Sequence, residues 1–186
     1  MLNALIPHNQ FFDFFFSFLS LRGNSIIIWA VIVLFLVFFE LKKHHYRLII
    51  LFLISFLTTA FLVNVVIKNI IRRPRPNLQT SNFKLQTYQC PKDYSFPSGH
   101  AATAFAAATI IAHYDKKRKW FYYLVASLIG LSRIYLGCHY LSDVVGGGII
   151  GYFISSITVN GLLKCPIFGH LNCPSFLTNK TRLIRK

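Results

Sequence analysis

From Leu48 to Ile67 the chain runs for twenty residues without a charge. A helix rises ~1.5 Å per residue, so about 20 apolar residues cross the hydrocarbon core of a bilayer. Four further runs approach that length: Asn24 to Phe39, Gly99 to Tyr114, Trp120 to Leu136 and Leu141 to Leu163. With 54% hydrophobic and 13% charged residues among 186, the composition is far from that of a soluble domain. The expected fold is an all-α integral membrane protein, a bundle of about five transmembrane helices. The runs from Asn24 and from Gly99 are short, so tilt, interfacial aromatics or burial against neighbours must complete them.

Ahead of these runs, residues 1–23 are Phe-rich, carry Asp13 and end at Arg22-Gly23. This suits an N-terminal amphipathic helix lying in the interface. It lacks the basic start and small-residue cleavage site of a removable signal peptide, so retention is expected. Residues 24–163 then form a single transmembrane domain, and 164–186 a basic cytoplasmic tail.

Orientation follows from the basic residues. With five crossings and the N-terminus outside, twelve Lys and Arg fall inside and eight outside. Most of the outer ones crowd between Lys68 and Arg75 or stand at Arg133. Membrane insertion does not favour positive charge there, which points to a site for anionic groups. The net charge of +15 is divided between two membrane faces, with no basic stripe interleaved with exposed aromatics, so nucleic acid is not an expected partner.

Carboxylates are few: Asp13, Glu40, Asp93, Asp115 and Asp143. No cluster of them could hold paired divalent ions, so neither a metal nor another cofactor is expected. Cys90 and Cys138 both fall on the outer side, where they could pair or remain two thiols. Cys165 and Cys173 bracket His170, a weak zinc pattern in what reads as an irregular tail.

Three clusters meet at the outer level. Lys68 and Arg75 supply cationic donors at the end of the second run, with Pro74 and Pro76 stiffening the chain. Pro97-Ser98-Gly99-His100 opens the third run. Pro and Ser favour a helix start, Gly99 allows close approach to the backbone, and the positive dipole end suits a phosphate. His139 and Asp143 stand four apart, so the carboxylate can orient the imidazole. Arg72 and Arg73 lie near enough to serve as headgroup contacts or as local anchors. Gly147 and Gly151 form a Gly-x3-Gly spacing suited to close helix packing, within one chain or between two in a homodimer.

Lys68-x6-Arg75-Pro76, Pro97-Ser98-Gly99-His100 and Ser132-Arg133-x5-His139-x3-Asp143 together resemble the signature of the type 2 phosphatidic acid phosphatase superfamily. The resemblance covers roughly Lys68 to Gly151. It implies that His139 attacks phosphorus to give a phosphohistidine, that Asp143 orients it, and that His100 protonates the leaving oxygen and then activates water. Lys68, Arg75, Ser98, Gly99 and Arg133 would hold the phosphate oxygens.

The implied partners are the bilayer and a lipid phosphate or diphosphate delivered laterally from it. Small chains of this layout look most like undecaprenyl diphosphate phosphatases, which places the protein in a bacterial cytoplasmic (inner) membrane with its active site on the periplasmic or extracellular face. Phosphatidic acid, phosphatidylglycerol phosphate and lipid A phosphates remain open as substrates. So do two other classes, a lipid phosphotransferase and a non-enzymatic lipid-binding membrane protein.

Overall fold

The computed structural model describes residues 9–20, 24–40, 45–76 and 90–163, and those residues form helices and connecting turns with no strand. Helix α1 spans Gln10–Ser20 and α2 spans Asn24–Phe35, continuing as a π-helical turn over Leu36–Glu40. Helix α3, His45–Phe61, passes through a second π segment, Leu62–Ile67, into the single turn α4, Lys68–Ile71. Then come α5, Gly99–Tyr114, a 3-10 turn at Lys116–Arg118, α6, Lys119–Tyr135, and α7, Leu141–Leu163. The tail 164–186, with Cys165, His170 and Cys173, lies outside the described residues.

Five uniform crossings are not what length and apolarity deliver. Among the described residues, two helices are long and apolar enough to cross on their own, Tyr46–Ile71 and Leu141–Gly161. Gln10–Ser20 and Asn24–Phe38 qualify only as a pair, bent by 72°. The short α5 has a physical reason. Ten of its 16 residues are buried, most of them alanine, and it packs against α7, α6 and α3. Alanine brings neighbouring backbones close, so α5 spends its apolar surface on protein rather than lipid.

Gly147 and Gly151 show where the closest approach lies. A Cβ on Gly147 would sit 2.5 Å from the Ser98 carbonyl oxygen, and one on Gly151 would collide with the carbonyl of Ala102. The Gly-x3-Gly face is therefore used within the chain, seating α7 on the first turns of α5. Helices α3 and α7 are joined inside the apolar layer by Ser55 Oγ and Ser155 Oγ, 2.6 Å apart and buried. In hydrocarbon each hydroxyl needs such a partner.

Helix α1 does more than lie on a surface. Asp13 accepts a hydrogen bond from the Tyr135 hydroxyl at 2.5 Å, and the Phe16 ring lies 4.5 Å from that of Tyr135, which docks α1 on α6. Phe11, Phe14 and Phe18 remain exposed on the opposite side. At the end of α5, Asp115 accepts from the Arg118 side chain at 2.5 Å and from the Tyr122 hydroxyl, closing the turn into α6. Cys90 and Cys138 form a disulfide, with Cα atoms 5.5 Å apart.

Candidate active site

Ser98 caps α5: its extended backbone ends the preceding loop and its hydroxyl accepts from the Ala101 N–H. That leaves the first turn of the helix, with Gly99 and His100, facing the cavity described below. The side chain of Ser98 is itself buried and turned into the cap. Its backbone N–H donates to the Asp143 carbonyl at 2.9 Å, so the second and third sequence clusters are bonded directly to each other. Gly99 also leaves room for the Asn64 side chain, whose Oδ1 lies 2.5 Å from where a Cβ would stand.

Lys68 enters from the far end of the long helix. The π segment before it adds one residue to a turn, and the Lys68 N–H bonds back to the Val63 carbonyl, five residues earlier. This rotates Lys68 relative to the α3 register, a device common at functional positions. Beyond it the chain leaves the helix through Arg72 in the left-handed conformation, φ 52°.

Lys68 and Arg75 share one carboxylate. Asp93 receives Lys68 Nζ at 2.5 Å on Oδ2 and an Arg75 guanidinium nitrogen at 2.6 Å on Oδ1, while Arg75 Nε donates to the Asp93 carbonyl at 2.8 Å. Burial would raise the Asp93 carboxyl, but the hydrogen bond and charge of Lys68, with the charge of Arg75, hold it down to about 2.

Arg75 also donates to the Cys138 carbonyl at 2.9 Å and lies 3.0 Å from His139 Nε2. A guanidinium can only donate, so Nε2 is the acceptor and the ring proton resides on Nδ1. Nδ1 in turn is 3.5 Å from Asp143 Oδ2. Burial, opposed by Asp143 and reinforced by Arg75 and Arg133, lowers the His139 pKa to about 4. The imidazole is thus neutral at ordinary pH, with its Nε2 lone pair accepting from Arg75 beside the cavity.

Asp143 is fully buried, and its charge is held from three sides. Arg73 pairs with Oδ1 at 2.7 Å, the Tyr140 N–H donates to Oδ2 at 2.9 Å, and His139 faces the same oxygen. Arg73 lies over the Tyr140 ring, 4.0 Å from its centroid, and bonds Ser142 Oγ at 2.7 Å. Of the two readings open for Arg73, the local anchor is the one realised.

A cavity of about 370 Å³ gathers Lys68, Arg75, Gly99, His100, Arg133 and His139 on its walls. Ser98 and Asp143 stand behind this layer, one capping the helix and the other backing His139. Arg133, fully buried, donates to the carbonyl and hydroxyl of Ser20 at the end of α1. Asp93 and Asn64 also line the cavity, and neither stood out in the sequence. The remaining wall includes Ser25 and Ile26 from α2 and Phe56 and Ala60 from α3. Phe56, Ala60, Asn64 and Lys68 recur every four residues, a track from apolar helix to buried cation.

The family model of the PAP2 superfamily matches residues 48–165, a segment that holds every one of these polar wall residues except Ser25. The chain belongs to the PAP2 superfamily. Among relatives, it is 32% identical over 161 residues to an undecaprenyl-diphosphatase of Sulfolobus acidocaldarius, covering 83% of this chain and 74% of that one. It is 29% identical over 157 residues to a lipid A 4'-phosphatase of Bacteroides thetaiotaomicron, covering 78% and 68%. The crystal structure of Aquifex aeolicus LpxE superposes with a TM-score of 0.63 at 29% identity, over 86% of this PAP2 protein and 93% of that chain.

Proposed function

We propose that this chain, a hydrolase of the PAP2 lipid phosphatases, removes phosphate from undecaprenyl diphosphate through a phosphohistidine. The observation that carries the lipid reading is the cavity: Lys68, Arg75 and Arg133 at one end, and an apolar wall on α2 and α3 at the other. A lipid phosphate has the same two-part character, and a soluble phosphate does not.

The phosphoryl group binds Lys68, Arg75, Arg133 and the N-terminal turn of α5, where charge on its equatorial oxygens is stabilised. Once Arg75 turns its N–H from His139 to the phosphate oxygens, His139 Nε2 attacks phosphorus as the bond to the leaving oxygen breaks, and His100 gives that oxygen a proton. The imidazolium formed keeps its Nδ1 proton toward Asp143, whose charge Arg73 steadies. His100 then takes a proton from water, which attacks the phosphohistidine, releasing phosphate and restoring His139. Ser98 contributes as the cap that orients the turn.

The choice of undecaprenyl diphosphate rests on the named relative. The Cys90–Cys138 disulfide supports a site facing an oxidising compartment, the outer side of a bacterial cytoplasmic membrane. The test is phosphate release by detergent-purified protein in EDTA, from undecaprenyl diphosphate beside phosphatidic acid, phosphatidylglycerol phosphate and a lipid A phosphate. His139→Ala runs in parallel, with an expected loss of about 10³-fold or more. Release mainly from another lipid would replace the substrate and keep the mechanism. Equal release by His139→Ala would overturn the phosphohistidine.

A further inference from the structure

Lys68 and Arg75 are two of the three cations assigned above to phosphate, and both already hold an anion. Asp93 places one carboxylate oxygen on each, at 2.5 and 2.6 Å. It therefore spans the two cations much as two oxygens of one phosphate would. The two cations are buried, at 5% and 1% side-chain exposure, whereas the Asp93 side chain is 45% exposed. Of the three partners, the carboxylate is the one with solvent to move into. Its loop is secured close by, at the Cys90–Cys138 disulfide and by Ser95, whose N–H bonds the Arg73 carbonyl and whose hydroxyl bonds that of Pro74. Asp93 can swing out while its backbone stays in place.

We propose that Asp93 is a resident carboxylate that competes with phosphate for Lys68 and Arg75, lowering the affinity of the site for every phosphate so that free phosphate, which has no apolar contacts to offset the cost, does not occupy it. An incoming anion must displace the carboxylate. A lipid phosphate brings apolar contacts with Phe56, Ala60 and Ile26 that offset the displacement, whereas inorganic phosphate brings none. The same competition expels inorganic phosphate after turnover, a product that three buried cations would otherwise retain. This rests on the lipid phosphatase reading of the site.

The test compares Asp93→Asn and Asp93→Ser, each uncharged, with Asp93→Glu and the unaltered protein. Two readouts are taken in detergent: the rise in thermal midpoint on adding inorganic phosphate or vanadate, which needs no turnover, and inhibition of lipid hydrolysis by the same anions. The uncharged variants should bind both anions at least tenfold more tightly, and KM for the lipid should fall as well. Asp93→Glu should stay near the unaltered protein. Anion affinity that is unchanged or weaker in whichever uncharged variant folds would overturn the proposal. If the unaltered protein hydrolyses none of the lipids, the function proposed above fails, and the midpoint shifts still decide whether Asp93 competes with anions.

Discussion

His139, the proposed nucleophile, is prepared by what surrounds it rather than by its identity. Burial and the charges of Arg75 and Arg133 favour the neutral ring, and Asp143 opposes them less strongly. Because the pKa lies below the usual histidine value, protonation removes the nucleophile only at unusually low pH. After allowance for ionisation of the lipid, kcat/KM should hold through about pH 6 and fall about tenfold per unit only below about 4. Arg75→Gln removes a positive charge 3.0 Å from Nε2 and should move this limb upward, besides weakening substrate binding. A limb at the ordinary histidine position in the unaltered protein would show that Nε2 is not held as described. His139, Asp143 and the three cations were legible in the sequence because phosphoryl transfer demands those residue types at fixed spacing. Asp93 was not, because it reaches Lys68 over a separation of 25 residues with nothing local to mark it, and Arg73 was noticed without its partner Asp143, which lies 70 residues away.

At the scale of elements, α5 and α7 form the frame on which the site depends. Gly147 lies against the Ser98 backbone, at the cap that orients the phosphate turn. Gly147→Val should therefore lower stability by about 1–3 kcal/mol and reduce activity together with it. Gly161→Val, in the same helix but with nothing within 4 Å of its Cβ position, is the control and should do neither. Equal thermal midpoints for the two variants would sink this account of the packing. The Gly-x3-Gly spacing was visible beforehand, but its partner was not, since a small-residue face fits a neighbouring helix or a second copy equally well. The number of crossings is not settled by apolarity for a related reason. An apolar run such as Gly99 to Tyr114 does not declare whether its surface meets lipid or protein, and here most of it meets protein. The π segment before Lys68 has no sequence signal either, because an extra residue in a turn is imposed by what the helix must reach.

Across the whole molecule, residues from α2 to α7 converge at one end, and α1 is tied to the same end through Asp13 and Ser20. The cystine between residues 90 and 138 turns that convergence into topology. Helices α5 and α6, and the exposed lysines of the turn between them, lie within a single covalent ring. A specific protease site inserted between Lys117 and Arg118 should open this ring without dividing the protein. The cleaved chain should run as one species on a non-reducing gel and as two once reductant is added, and immediate separation without reductant would show that the ring is not closed. Closed, it lets the backbone be severed at one end of the helix pair while the two halves of the site stay leashed at the other.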